Sequence, residues 1–165
     1  MSRKTTPFAR KRANAARLCK RDRAQLSPIG KLYKRENAQE GFKSLILTTR
    51  IKILTMDDGA DATEMLASLT VVIGTVCEAG SNQYKAEKPP WVRQLHGALR
   101  TVQDMCLNGY TWQAQYAAAM ERAVEIASED RPDMDVRIFF DAWDKAIGFA
   151  DLIWAHQVEV GAVVA

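Results

Sequence analysis

The chain has 165 residues, of which 47% are hydrophobic and 26% charged, the composition of an ordinary globular domain. Its longest strongly apolar uncharged run, residues 65–77, is shorter than the roughly 20 residues that cross a bilayer, so we expect no transmembrane span. The N-terminus is charged from Arg3 onward and lacks the apolar stretch of a secretory signal, so we expect an intracellular, cytoplasmic protein. The first 21 residues have eight basic residues and no acidic ones, so a mitochondrial transit peptide is the alternative.

The net charge of +3 conceals two segments of opposite sign. Residues 1–52 contain 15 Lys and Arg against 3 Asp and Glu, whereas residues 53–165 contain 8 against 17. A segment of net charge +12 therefore precedes one of net charge −9. The basic segment has too few apolar residues to bury a core, whereas the remainder is long enough to fold alone.

We assign residues 1–35 to a basic, partly disordered N-terminal arm. Residues 8–25 favour a helix by composition, yet their apolar residues form no continuous stripe. Such a helix is not held by a core, so we expect it to be ordered only against a partner. Pro28 and Gly30 are breakers that close the segment.

Residues 42–56 fit two periodicities. Six of the eleven residues from 45 to 55 are β-branched, and leucines and isoleucines recur there at a period of two, which favours a strand. Phe42, Ile53 and Met56 also lie at helical spacing. Because only residues 158–165 could pair with such a strand, we favour a helix and keep a two-stranded ribbon of residues 45–55 and 158–165 as the alternative.

The following helix is the most apolar in the chain. Its stripe runs from Ala62 to Val76, and because residues 65–77 carry no charge we expect it to be buried on most sides, as the central helix. Asp61 and Glu64 form a candidate capping box at its start, and Gly80 fits its C-terminal cap.

Three further amphipathic helices complete the predicted fold. The first begins at Pro90 and ends near Gly109; the second begins at Thr111 after a two-residue linker; the third follows Pro132. Short connections between such helices are typical of a bundle. We therefore predict a mainly α fold, a bundle of four to five helices within a domain of residues 36–165.

No residue pattern identifies a catalytic, metal or cofactor site. The three cysteines have no paired spacing, and His96 and His156 are isolated on separate helices. We expect reduced thiols, with Cys77 and Cys106 in the core. Three of the four tryptophans lie on the apolar stripes, so we favour core packing for them over an aromatic ligand pocket. The protein is therefore predicted to be non-enzymatic, without metal or cofactor.

The basic residues are the strongest functional signal. Clustered cations neutralise phosphates and release counterions, which binds nucleic acid through its backbone without sequence preference. Docking on an acidic protein surface, including the chain's own body, or the absence of any specific partner are the alternatives. The predicted nucleic-acid-binding residues are Arg10, Lys11, Arg12, Arg17, Lys20, Arg21, Arg23, Lys34 and Arg35.

The acidic body supplies a second candidate surface. Glu129, Asp130, Asp133 and Asp135 form an acidic cluster at a helix junction, where negative charge also favours the N-terminus of the next helix. We predict a DNA- or RNA-binding protein whose acidic helical body mediates self-association, as a homo-oligomer, or binds a partner. The alternative is an interaction module or inhibitor that docks on another protein through this acidic cluster.

Overall fold

In a computed structural model, the backbone is described for residues 28–156 and side chains for residues 39–156. This part of the chain is mainly α-helical and contains no strand, which confirms the predicted bundle. The helices are α1 (Pro28–Thr55), α2 (Thr63–Gln83), α3 (Pro90–Leu107), α4 (Ala117–Ser128) and α5 (Val136–Trp154). The chain from Phe42 onward belongs to one compact unit, and α1 runs across the boundary that precedes Phe42.

Helix α2 is the core of the bundle, as predicted. It packs along α5 and α3 and, over a shorter length, against α4. Met65, Leu69 and Ile73 are fully buried. Among the described helices, α2 is the one long and apolar enough to cross a membrane, but 72% of that window is buried inside the bundle, as in a core helix.

Helix α1 decides between the two periodicities of residues 42–56. Residues 45–55 are helical throughout, so the two-stranded ribbon is wrong; its other half, residues 158–165, lies outside the described residues. The threonines that favoured a strand fit the helix because their hydroxyls bond within it. Thr49 Oγ1, for example, donates to Leu45 O at 2.7 Å.

The inner face of α1 is anchored by aromatic contacts. The Phe42 ring stands edge-on to that of Phe139, with centroids 5.3 Å apart, and lies 5.2 Å from the ring of Trp143. Both partners belong to α5. Ile46 and Ile53 extend the buried face along α1. These contacts hold the C-terminal half of α1 in the bundle through side-chain burial.

The ends of α2 correct two predictions. Asp61 Oδ1 accepts hydrogen bonds from the Thr63 amide at 3.0 Å and the Thr63 hydroxyl at 2.8 Å, but Glu64 pairs with Lys52 and does not complete a capping box. Gly80 does not end the helix, which continues to Gln83. A β-carbon at Gly80 would overlap the Trp91 ring, so glycine permits the close packing of α3 on α2.

The connection between α3 and α4 is longer than the two residues predicted. Gly109 and Tyr110 have positive φ angles of 85° and 58°, and Trp112 is buried in the loop, not on a helix. Trp112 N donates to Ala60 O at 2.8 Å, so the loop is pinned to the segment before α2. Thr111 does not cap α4, which begins only at Ala117 after a short 3₁₀ turn.

Candidate interaction surfaces

The predicted nucleic-acid-binding residues lie at the edge of the described structure. Arg10, Lys11, Arg12, Arg17, Lys20, Arg21 and Arg23 lie outside the described residues. Lys34 and Arg35 fall within α1, in the part of the helix where only the backbone is described. Residues 28–35, the last part of the predicted arm, therefore belong to helix α1.

Asp133 and Asp135 of the acidic cluster join α5 to the end of α2. The Tyr84 hydroxyl donates to Asp133 Oδ2 at 2.6 Å, and this hydrogen bond raises the pKa of Tyr84. Gln83 Nε2 donates to Asp133 O at 2.9 Å, and Gln83 Oε1 accepts from the Asp135 amide at 2.8 Å. Asp135 Oδ1 also accepts from Arg137 N at 2.7 Å, which caps α5.

Glu129 is held by Arg131, whose guanidinium is the hub of the junction between α4 and α5. Arg131 lies 3.3 Å from the Glu129 carboxylate and donates to Ile126 O at 2.7 Å. Its Cζ lies 4.2 Å from the ring centroid of Trp91, a cation–π contact. Burial in this position lowers the pKa of Arg131.

Internal contacts thus engage most of the acidic cluster. Glu129, Asp133 and Asp135 stabilise loops and a helix terminus, whereas Asp130 is exposed and has no partner among the described residues. Neutralising the cluster would therefore disturb the fold as well as any docking surface. The acidic cluster is a weaker candidate for partner binding than its charge suggests.

An apolar stripe on α1 is a surface that the sequence analysis missed. Leu47, Ile51 and Leu54 lie one turn apart along the side of α1 opposite its buried face, and they are 62%, 54% and 69% exposed. We call these three residues the outer stripe of α1. Full burial of one such side chain contributes about 1.5–3 kcal/mol of hydrophobic free energy, so covering the exposed part of the outer stripe would contribute about 3–5 kcal/mol. Leu47 and Ile51 could have indicated this second apolar side, but their even spacing was interpreted as evidence for a strand.

Two strained residues meet near the start of α2. Within the described chain, Tyr110 and His156 are the only non-glycine residues with positive φ, and their rings stack with centroids 4.0 Å apart. His156 Nε2 lies 3.0 Å from Thr63 Oγ1. Because the Thr63 hydroxyl donates to Asp61, Nε2 donates to Thr63 in this arrangement.

This arrangement does not form a nucleophile relay. In a hydrolase triad the carboxylate hydrogen-bonds to the histidine and orients it. Here the Asp61 carboxylate instead accepts a hydrogen bond from the Thr63 hydroxyl. The hydrogen bonds from the Thr63 amide and hydroxyl lower the pKa of Asp61. Among the described residues, no group of three or more His, Cys, Asp or Glu side chains is arranged to hold a metal. The contacts of His156 have a structural explanation: they attach the residue that follows α5 to Tyr110 in the α3–α4 connection and to Thr63 at the start of α2.

Cysteine and tryptophan positions follow the predictions except at Trp154. Cys77 and Cys106 are buried free thiols, and burial raises the pKa of each to about 12, so neither is a reactive thiolate. Cys19 lies outside the described residues. Trp112 is buried as expected, but Trp154 is 51% exposed at the end of α5 and is not a core residue.

The chain matches no protein-family model, no curated protein and no solved structure. Function must therefore be inferred from the charges, exposed surfaces and contacts of the chain itself.

Substitution at the acidic cluster separates its structural and surface roles. Asp135→Ala removes the N-cap of α5, so we expect it to lower the free energy of unfolding by about 1 kcal/mol. Asp130→Ala also removes one carboxylate, but from an exposed site, and should change the free energy of unfolding by less than about 0.5 kcal/mol. Urea denaturation followed by circular dichroism measures both. Equal effects of the two substitutions would contradict the assignment of Asp135 as the cap.

Proposed function

We propose that the protein is a small, non-enzymatic intracellular nucleic-acid-binding protein whose basic N-terminal arm contacts the phosphate backbone. The partition of charge is the observation that supports this proposal. Residues 1–38 contain 12 basic and 2 acidic residues, whereas residues 39–156, which form most of the bundle, contain 11 and 17. The acidic bundle repels phosphate overall, so binding depends on the arm.

Binding of this kind is electrostatic and largely independent of base sequence. If six to eight arm cations contact phosphates, the logarithm of the affinity should fall against the logarithm of salt concentration with a slope of roughly −5 to −7. Base stacking is a minor contributor, because Phe8 and Tyr33 are the only aromatic residues of the arm. The protein is therefore expected to bind DNA and RNA alike.

Deleting the arm tests this proposal. A chain that starts at Glu36 lacks 12 basic residues but retains the compact unit from Phe42 onward. We expect its affinity for a random duplex or RNA to be more than about tenfold weaker than that of the full chain at low salt, because counterion release is lost. Electrophoretic mobility shifts measure both. Equal binding by the two chains would exclude the arm as the binding element.

The outer stripe of α1 supports a second activity, the pairing of two copies of the chain. Helix α1 is apolar on two opposite sides between Phe42 and Met56, a pattern typical of a helix covered on both sides. The bundle covers one side. The second side remains exposed as Leu47, Ile51 and Leu54.

The charges around the stripe favour antiparallel pairing of α1 with its counterpart in a second copy. Lys43 lies about two turns before the centre of the stripe, and Asp57 and Asp58 follow the C-terminus of α1, which ends at Thr55. Antiparallel helices place Lys43 of one copy opposite these carboxylates of the other, whereas parallel helices place like charges together. A dimer would carry two basic arms, which raises the affinity for a long polyanion through avidity.

A charge placed on the stripe tests self-association. Leu47→Glu buries a charge in the proposed interface, so we expect a monomer where the wild-type chain is a dimer at micromolar concentration. Thr48→Glu adds the same charge to an adjacent exposed position off the stripe and should leave the dimer intact. Analytical ultracentrifugation measures the mass of each. A monomeric wild type, or equal dissociation by both variants, would contradict pairing through α1.

A further inference from the structure

The basic side chains of the described chain fall into two groups. Residues 39–156 contain eleven Lys and Arg residues, and five of them lie within 4.0 Å of a carboxylate oxygen of Asp or Glu. The other six form no ion pair among the described residues. Four of these six fall within one short stretch, residues 85–100: Lys85, Lys88, Arg93 and Arg100.

These four residues form an exposed surface, which we call the α3 basic face. Lys85 and Lys88 lie in the loop before α3, and Arg93 and Arg100 lie two turns apart on the outer side of α3. Gly97, between the two arginines, is also exposed, and no other group lies within 4 Å of the position a β-carbon would take. The surface between the arginines is therefore open to a ligand.

Two charges of this face act on the same side chain. Half-buried His96 has its pKa lowered by burial and by the charges of Lys88 and Arg100, whereas the charge of Glu78 acts in the opposite direction. The nearest acidic residue of α2, Glu78, is engaged by Lys145 at 2.7 Å. Glu87 and Asp104 border the face in the sequence, and neither is within ion-pair distance of a described basic residue. The face therefore carries four basic residues and is bordered by two acidic ones, Glu87 and Asp104, on a bundle whose net charge is negative.

We infer that the α3 basic face is a second binding site for the phosphate backbone of nucleic acid, separate from the arm. The inference rests on the proposed function. Guanidinium groups match phosphate oxygens in a forked geometry, and cations without a protein partner contribute fully to counterion release. In the bundle the remaining surface is acidic, so this face fixes which side of the body approaches the polyanion.

The placement of the arginines suits a ligand with many charges. Arg100 is the seventh residue after Arg93, so the two lie on one side of α3 with an axial distance of about 10 Å. A chain of phosphates can contact both guanidinium groups and the lysines of the adjacent loop at once, and each such contact adds to counterion release. The phosphate backbone of nucleic acid is therefore the ligand to which we assign this face.

The salt dependence of binding by the full chain tests the inference. Arg93→Gln/Arg100→Gln removes two unpaired cations, so the slope of log affinity against log salt on random duplex DNA should become shallower by roughly 2. The control Lys52→Gln/Arg122→Gln removes two cations that are paired with Glu64 and Glu125 and should keep the wild-type slope. Fluorescence anisotropy with a labelled duplex measures all three chains, and near-UV circular dichroism confirms that each is folded.

The outcomes distinguish the inference from the proposed function. If the wild-type chain does not bind the duplex at low salt, the proposed function fails, and the inference fails with it. If the wild type binds and the Arg93/Arg100 variant keeps the wild-type slope, the inference alone is overturned. Lys85→Gln/Lys88→Gln provides a second test in the adjacent loop, and a shallower slope there, against an unchanged control, supports the whole face.

Discussion

The burial of α2 is the constraint on which the rest of the structure depends. A helix without a charge from residue 65 to residue 77 must be covered on most sides, and the other helices supply that cover through α5, α3 and α4. The close approach of α3 requires Gly80, because any larger residue would meet Trp91. The loops also help to cover α2. Trp112 closes one end of the core, and the hydrogen bonds from Gln83 and Tyr84 to Asp133 fix the start of α5.

The fold could be predicted because helical periodicity reports burial on one side of a helix. It predicted α2, α3 and α5 well, and it failed where a second constraint acts. In α1, apolar residues lie on two opposite sides, so that Phe42 and Ile53 follow a helical period while Leu47 and Ile51 add the even spacing that is typical of a strand. At Thr111 and Gly80, contacts distant in sequence override local signals for a cap.

The candidate site was predictable only in its charge. Counting residues revealed a basic segment ahead of an acidic body. A count does not distinguish charged side chains that have a partner in the fold from those that do not. The structure distinguishes them by their partners: Asp135 caps a helix and Glu129 binds Arg131, whereas Arg93 and Arg100 form no ion pair with any residue whose side chain is described. Other contacts join residues far apart in the chain, such as the hydrogen bond from Tyr84 to Asp133, and no local pattern in the sequence indicates those.

We propose that the protein holds nucleic acid through charge, on an otherwise acidic body. The most direct measurement is the 260/280 nm absorbance ratio of the full chain purified without nuclease, first at low salt and then after a high-salt wash. The account predicts a ratio at low salt above that expected for a protein with four tryptophans and four tyrosines, and a fall to the protein value after the wash. A ratio equal to the protein value at low salt would contradict the account.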